Sequence, residues 1–205
     1  MREYLIRLID SVLSIPLIFE WQQKLCNNYG AVREAFKPWL NVSGKDILDI
    51  GCSTGTCAAA AVAMERNRYV GIDIEPQYVE IAGNRYPQGT FLAMDARQLN
   101  FESKRFDLIL IISSLHHMED QVVADCFKEV ERVLKDDGMV LSCEPLFTRG
   151  SYLSNFLLKL DRGEYIRDEE GYQQFLANFQ IVEKGYFKLS FHRFCSFVLK
   201  KKRAG

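Results

Sequence analysis

The chain has 205 residues, a length that suits one domain with a substantial core. Hydrophobic residues make up 48% of it and charged residues 26%, as is usual for a globular protein. The formal net charge of −1 gives no general attraction to nucleic acid or anionic lipid, so neither is expected as a partner.

Six cysteines are dispersed along the chain without a CxxC pair, at Cys26, Cys52, Cys57, Cys126, Cys143 and Cys195. No stretch is typical of a secretory leader, and several of the cysteines lie in apolar runs. Reduced, mostly buried thiols in the cytoplasm are therefore expected rather than disulfides. With three histidines and no cluster of ligand residues, no metal site is expected.

The apolar N-terminus does not predict a membrane span. Arg7, Asp10 and Pro16 interrupt "YLIRLIDSVLSIPLIFEW", so no apolar run approaches the ~20 residues that a transmembrane helix needs. Helical spacing predicts an amphipathic helix with one apolar face formed by Leu5, Ile6, Ile9 and Leu13. We expect residues 1–40 to form a helical cap on a domain of residues 41–205; peripheral membrane contact is the alternative.

From residue 46 onward, short apolar runs alternate with amphipathic helical stretches. The predicted strands are Asp46–Ile50, Tyr69–Asp73, Thr90–Met94, Phe106–Ile112 and Met139–Cys143. Between them lie predicted helices near Thr56–Arg66, Pro76–Tyr86 and Gln121–Leu134, the last of which Asp120 can cap. Short apolar strands separated by helices indicate a parallel sheet covered on both faces.

After Pro145 the pattern changes. Residues 145–167 are rich in aromatic residues and arginine and are predicted as an insertion, followed by a helix near Asp168–Asn178. Two further strands, Phe179–Leu189 and Phe191–Lys200, are joined tightly. They must pair antiparallel, because a parallel pair requires a long crossover.

The stretch "ILDIGCSTGT", Ile47–Thr56, has the form of a nucleotide site: a strand with an acid, a glycine-containing turn and the start of a helix. A dinucleotide-binding fingerprint needs glycines spaced GxGxxG, but counting from Gly51 the chain supplies Gly51, Ser53 and Thr56. The Gly-Lys-Ser/Thr ending of a P-loop is also absent. The pattern that is present is Asp49, Gly51 and Gly55, in which Gly51 lets the backbone approach a ligand closely.

Two more acids follow at the ends of the next two predicted strands. Asp73, in "VGIDIEP", can accept hydrogen bonds from both hydroxyls of a ribose. Asp95, in "FLAMDARQL", is placed to accept a hydrogen bond from an adenine amino group. Together with the first loop, these acids indicate a site for an adenosine-containing ligand.

In these motifs the chain resembles the class I S-adenosylmethionine-dependent methyltransferases, of the broad group often called type 11. The resemblance covers about residues 45–143 and is carried by "LDIGCSTG", "YVGIDIEP", "FLAMDARQL", "FDLILIISSLHHM" and "VLKDDGMVL". It implies an α/β Rossmann-like three-layer sandwich, with a seven-stranded, mostly parallel sheet whose last strand is antiparallel. It also implies S-adenosyl-L-methionine as cofactor and S-adenosyl-L-homocysteine as product.

The resemblance assigns a part of the cofactor to each loop. The methionine end would lie on Asp49 and on the loop residues Gly51, Cys52, Ser53 and Gly55. The ribose would lie on Asp73 and Ile74, and the adenine on Asp95 and Ala96. Ser113, in the segment 112–115, would pass beside the sulfonium. Ser53 stands where the family usually has glycine, so we expect a modest effect on affinity; a defunct site is the alternative.

Because a sulfonium is already a strong electrophile, the protein has mainly to align the acceptor atom and exclude water. A base is needed only for a protonated, weakly acidic nucleophile. The candidates are His116 and His117, since they follow the fourth strand and histidine titrates near neutrality. The alternative is that one packs inside the protein and the other orients the loop.

The acceptor is expected beneath the N-terminal helices and a lid at about residues 145–167. Arginine recognises carboxylate or phosphate in a planar, bidentate way, and tyrosine offers a flat wall with a polar tip. We therefore expect a small anionic or aromatic acceptor, with the candidate residues Tyr152, Arg162, Tyr165 and Arg167. The alternative is that Arg162 and Arg167 pair with neighbouring acids on the surface.

Three other functions are less well supported by the sequence. A nucleic-acid methyltransferase is not expected, because "ISSLHHM" replaces the Asn/Asp-Pro-Pro-aromatic run and no Pro-Cys dipeptide occurs. An NAD-linked oxidoreductase would lack its glycine triplet, and no tyrosine precedes a lysine by four positions. A non-catalytic or repurposed binding protein is favoured by Ser53 and opposed by the retained Asp49, Asp73 and Asp95. No signal for an oligomeric state is present.

Overall fold

The structure, a computed structural model, describes residues 29–147, 164–189 and 192–202. The predicted amphipathic helix of residues 5–13 lies outside the described residues, as do Tyr152 and Arg162 of the predicted lid. In the part of the chain that is described, no helix is long and apolar enough to cross a membrane.

The described ranges contain strands and helices in alternation. The strands are β1 Asp46–Ile50, β2 Arg68–Asp73, β3 Thr90–Ala93, β4 Phe106–Ile112, β5 Leu134–Pro145, β6 Phe179–Leu189 and β7 His192–Lys201. The α-helices are α1 Tyr29–Ala35, α2 Lys37–Leu40, α3 Thr56–Ala61, α4 Pro76–Arg85, α5 Asp120–Val133 and α6 Glu169–Gln173. Short 3-10 helices lie at Met64–Arg66, Leu115–His117 and Gln174–Leu176.

The seven strands form one sheet in the order β3-β2-β1-β4-β5-β7-β6. Strands β1 to β5 pair in parallel, and β7 pairs antiparallel with both β5 and β6. The prediction of a mostly parallel sheet with an antiparallel last strand is confirmed. The chain moves outward from β1 to β3 and then returns to β4 beside β1. Ligands of open α/β sheets bind at such a switch point, beyond the carboxyl ends of the strands.

The core lies on both faces of the sheet. Successive residues of β1 divide between the faces, as strand geometry requires: Leu48 belongs to a cluster that includes Val130 of α5, and Ile47 to one that includes Phe36 beyond α1. Helix α5 has the apolar face that the sequence predicts, because Val123, Cys126, Phe127, Val130 and Val133 are all buried. Each such side chain contributes about 1.5–3 kcal/mol when fully buried.

Several predictions differ from what is observed. The predicted helix near Asp168–Asn178 is divided into α6 and the 3-10 helix Gln174–Leu176. Helix α3 ends at Ala61 rather than near Arg66, and Asn67 then ties the chain back by donating to the carbonyl oxygens of Val42 and Ala63. Strand β5 starts at Leu134, because a register shift in β4 allows Phe106 to pair with it. Asp120 is not the N-cap of α5; it is the first helical residue, and its carboxylate contacts an arginine instead.

The described cysteines are free thiols, at Cys52, Cys57, Cys126, Cys143 and Cys195. All of them except the partly exposed Cys57 are buried. Burial raises the pKa of Cys126 and of Cys195 to about 12, so both thiols stay protonated near neutral pH. Unreactive, apolar thiols agree with the expectation from sequence.

Candidate functional site

A cavity of about 640 Å³ opens beyond the carboxyl ends of β1 to β4. Its volume is in the range of small-molecule sites. The loops after all four strands contribute to its wall, through Gly51 and Ser53, Asp73 to Glu75, Asp95 to Arg97, and Ser113, Ser114, His117 and Met118. The site residues predicted after four separate strands are thus brought together at the switch point of the sheet.

The loop after β1 depends on backbone conformations that favour glycine. Gly51, Ser53 and Gly55 have φ angles of 75°, 48° and 77°. A Cβ on Gly51 would lie 2.5 Å from the Cβ of Ser114, so the approach of the loop to the chain after β4 also requires glycine. The side-chain oxygen of Ser53 is buried and has no hydrogen-bond partner.

Asp73 joins this loop to the loop after β2. Its carboxylate accepts hydrogen bonds from the backbone N–H of Ser53 at 2.9 Å and of Glu75 at 3.0 Å. Burial raises the pKa of Asp73 above its ordinary value, and the hydrogen bonds from these two N–H groups reduce this rise. The neighbouring Ile74 lines the cavity although it is 66% exposed, so an apolar side chain faces the space that a ligand would fill.

Asp95 lies at the cavity wall after β3 with Ala96 and Arg97. The guanidinium of Arg97 holds both oxygens of its carboxylate, at 2.7 Å from Nη2 and about 3 Å from Nε, and the Arg97 backbone N–H also donates to it. Arg97 therefore lowers the pKa of Asp95. Asp95 is ionised near neutral pH and already has a partner.

Three predicted cofactor-binding residues do not line this cavity. Asp49 is 4% exposed and accepts a hydrogen bond of 2.7 Å from the hydroxyl of Tyr69. Burial, opposed by the hydrogen bond from Tyr69 and aided by the charge of Asp73, raises the pKa of Asp49 to about 7. Cys52 is buried against Gly71, where an added Cβ would lie 2.9 Å from its sulfur, and Gly55 packs on the ring of Tyr86. These residues shape the loop from behind.

The two candidate bases are in different environments. His116 is 5% exposed and its Nδ1 lies 2.7 Å from Oε2 of Glu144. His117 lines the cavity, with its ring centroid 4.0 Å from that of His116. Glu144, at the end of β5, is a functional candidate that the sequence reasoning missed; its signal was a single acid in the apolar run "MVLSCEPL".

The two described candidates for acceptor binding, Tyr165 and Arg167, also lie in different environments. Tyr165 lines the cavity, whereas Arg167 does not. The side chain of Arg167 is 8% exposed and forms an ion pair with Asp120 at 2.6 Å. Within the described ranges, no group of three or more His, Cys, Asp or Glu residues is arranged to hold a metal ion.

Comparison with known proteins finds a family that the central part of the chain resembles. Residues 47–138 match the methyltransferase domain family. A demethylmenaquinone methyltransferase of Chlorobaculum tepidum is 29% identical over 135 residues, which cover 64% of this chain and 55% of the relative. The O-methyltransferase rstn1 of Aspergillus nomiae is 32% identical over 121 residues, 56% of this chain and 52% of the relative. The chain thus spans about half the length of the curated relatives it matches.

Solved structures share the fold. Phosphoethanolamine N-methyltransferase 2 of Haemonchus contortus, solved with phosphomonomethylethanolamine and S-adenosylhomocysteine, superimposes with a TM-score of 0.76 at 16% identity. The superposition covers 95% of this chain and 59% of that one. At this level of identity the likeness concerns the fold alone.

Proposed function

We propose that this chain is a class I S-adenosylmethionine-dependent methyltransferase, which transfers a methyl group from S-adenosylmethionine to a small-molecule acceptor. The observation that carries the proposal is the cavity at the switch point, where Gly51, Asp73 and Asp95 follow three adjacent strands and line one wall. The order of these residues along the sheet matches the order of methionine, ribose and adenine in an extended cofactor.

The residues present fit that cofactor. Gly51 presents only backbone to the cavity, and its lack of a side chain lets the loop pack closely against Ser114. The carboxylate of Asp73 is fixed by two backbone N–H groups, so its remaining lone pairs are oriented for a ribose diol. The exposed Ile74 offers an apolar surface for an adenine ring. Asp95 would accept from the adenine amino group while it keeps Arg97 as a partner.

When bound, S-adenosylmethionine supplies a methyl group that needs no further activation. The protein then has to align the acceptor atom and exclude water, and orientation of this kind can remove roughly 7–11 kcal/mol from a barrier. After β4 the cavity wall is formed by Ser113, Ser114, His117 and Met118, where the acceptor would meet the methyl group.

We assign the role of base to His117 rather than to His116. His117 lines the cavity, whereas the ring of His116 is directed to Glu144 and buried. His117 would accept the proton of an acceptor hydroxyl as the new bond to carbon forms. An acceptor that arrives without that proton would need no base.

We infer that the acceptor is a flat, partly apolar molecule such as a phenol or hydroquinone. Apolar and aromatic side chains line the cavity near His117, namely Met118, Val122 and Tyr165. The name of one matched relative, a demethylmenaquinone methyltransferase, supports a quinone-type acceptor, and that of another, an O-methyltransferase, supports transfer to oxygen. The anionic alternative is weakened, because Arg167 is engaged within the protein.

Methyl transfer is tested with S-adenosylmethionine carrying an isotopically labelled methyl group, incubated with the protein and a panel of phenols, hydroquinones, small carboxylates and phosphate esters. We expect labelled product from a phenolic acceptor, detected by mass spectrometry. His117→Gln should lower the rate by about 10²–10⁴-fold near neutral pH, with partial recovery at higher pH where the phenol ionises by itself. His192→Gln, a histidine far along the chain in β7, is the matched control and should keep the wild-type rate.

The outcomes separate the parts of the proposal. Binding of S-adenosylhomocysteine without transfer to any acceptor would favour a non-catalytic binding protein. Transfer that His117→Gln leaves unchanged would contradict the role of that residue while the methyltransferase activity stands. Labelled product only with carboxylates or phosphates would overturn the aromatic class.

A further inference from the structure

The guanidinium of Arg167 makes five hydrogen bonds, one for each N–H that an arginine possesses. Nε and Nη2 contact Oδ1 of Asp120 at 2.9 and 2.6 Å. Nη1 donates to the carbonyl oxygens of Leu115 at 3.0 Å and Tyr165 at 2.9 Å, and Nη2 donates to that of Met118 at 2.7 Å. No donor is left for an acceptor molecule.

Leu115 and Met118 belong to a turn of residues 114–118, and Glu144 also binds this turn. This carboxylate, 1% exposed, accepts hydrogen bonds from the backbone N–H groups of Ser114, Leu115 and His116 at 3.0, 2.9 and 3.3 Å. It also contacts the ring of His116. In the turn of residues 114–118, backbone N–H groups thus donate to one buried carboxylate, and backbone carbonyl groups accept from one buried guanidinium.

Arg167 also joins two walls of the cavity. One wall is formed by His117 and Met118 of the turn, and the other by Tyr165. The backbone N–H of Tyr165 donates to the carbonyl oxygen of His116 at 3.0 Å, while Arg167 binds the carbonyl oxygens of both walls. The separation of the two walls is therefore set by contacts of a residue that does not itself face the cavity.

We propose that Arg167 is a positioning residue for the acceptor end of the site, which fixes His117 and Met118 relative to Tyr165. The inference rests on the proposed function for the identity of the ligands, but the geometry of the walls is a property of the protein without ligand. Arginine suits this role because its planar fork reaches carbonyl groups in several directions, whereas lysine offers donors from one point. Removal of Arg167 leaves three carbonyl groups without these donors, so the turn must rearrange.

Arg132 provides a matched control. Its guanidinium binds the carboxylate of Glu129 at 2.8 and 2.7 Å and the carbonyl oxygens of Phe101 at 2.8 Å and Leu99 at 2.7 Å. The set of contacts resembles that of Arg167, with one carboxylate and several carbonyl groups. None of these four residues lines the cavity. Arg132→Ala therefore removes comparable bonds without disturbing the turn.

The experiment compares Arg167→Ala, Arg167→Lys and Arg132→Ala with the wild type. Thermal unfolding reports stability, calorimetry reports S-adenosylhomocysteine affinity, and NMR reports the ring signals of His117. The chain has three histidines, so these signals can be assigned with His117→Gln and His192→Gln. Where Arg167→Ala fails to fold, Arg167→Lys carries the comparison.

If Arg167 is a positioning residue, both alanine variants should lose stability. Only the Arg167 variants should change the chemical shifts of the His117 ring, both in the ligand-free protein and in the complex with S-adenosylhomocysteine. With an acceptor identified, Arg167→Lys should lower kcat/KM by roughly 10–100-fold, and Arg132→Ala should leave it near the wild-type value. Unchanged His117 signals in the Arg167 variants would overturn the inference and reduce Arg167 to a stabilising residue. Absence of S-adenosylhomocysteine binding in the wild type would instead contradict the proposed function, while the comparison of ligand-free signals would still decide the inference.

Discussion

Ser53 holds a conformation that favours glycine and carries a buried hydroxyl without a partner. Its φ is 48°, and its Oγ has no hydrogen bond. Replacement by glycine removes both unfavourable features. The left-handed backbone costs a side-chain-bearing residue about 1–2 kcal/mol, and an unsatisfied hydroxyl costs about 1–3 kcal/mol. The greater freedom of glycine in the unfolded chain offsets about 0.4–1 kcal/mol.

Ser53→Gly should therefore stabilise the ligand-free protein by about 1–4.5 kcal/mol. In a chain of this size, each kcal/mol of stabilisation raises Tm by roughly 2–4 °C. Ser53→Ala removes the hydroxyl but keeps a Cβ at positive φ, so its rise in Tm should be smaller. The assay is thermal unfolding of the three proteins without ligand, and the expected order of Tm is glycine, alanine, serine.

The hydroxyl of Ser53 is also expected to contribute to ligand binding. Ser53 lines the cavity, and rotation about one side-chain bond redirects its hydroxyl. A hydrogen bond from that hydroxyl to the bound cofactor would be lost in both variants, so S-adenosylhomocysteine affinity should fall about 2–10-fold. A Tm of Ser53→Gly at or below that of the wild type would refute the reasoning on strain. Equal affinity of all three proteins would show that the hydroxyl makes no ligand contact.

Two further predictions concern stability. The pKa of Asp49, raised to about 7 by burial, exceeds its ordinary value of 3.8, so between these pH values the folded state holds a proton that the unfolded chain has released. The free energy of unfolding, measured by denaturant titration, should fall as pH rises through that window and level off above it. The fall should be smaller in Asp49→Asn. An equal pH dependence of the free energy of unfolding in both proteins would contradict this. Lys135 bridges Asp107 at 2.7 Å and Asp46 at 3.3 Å at 32% exposure, whereas Lys104 pairs at 61% exposure. Lys135→Ala should cost about 1 kcal/mol and Lys104→Ala under about 0.5 kcal/mol in the same titrations, and equal losses would count against a role for the bridge.

Much of the sheet could be predicted because its strands are rich in apolar residues and are bounded by residues typical of turns. The bounds of β1, β4 and β6 agree with the sequence prediction, and each of these strands is followed by a glycine or a serine. The ends of α3 and β5 could not be predicted. They depend on a side-chain bond from Asn67 and on a register shift in β4, neither of which leaves a periodic pattern.

The site also contains residues that could be located from the sequence and residues that could not. Asp73 and Asp95 could be located from the sequence because parallel strands bring their carboxyl ends to one edge, so any polar residue just after such a strand faces the same cavity. The roles of Arg167 and Glu144 could not. Arg167 meets Leu115 across 52 residues of sequence, and Glu144 meets His116 across 28 residues. The pairing of β5 with β4 brings Glu144 to the turn, and the chain before α6 brings Arg167 to it through hydrogen bonds of Tyr165 and Arg167.

The central claim is that the cavity binds S-adenosylmethionine through Asp73, and calorimetric titration with S-adenosylhomocysteine tests it most directly. Glu80→Ala is the matched control, because Glu80 is an exposed acid of α4 that does not line the cavity. We predict binding to the wild type and to Glu80→Ala, affinity at least about 10–100-fold weaker in Asp73→Ala, and no binding of NADH. Wild-type protein that binds no S-adenosylhomocysteine, or an Asp73→Ala variant that binds it as tightly as the wild type, would contradict the account.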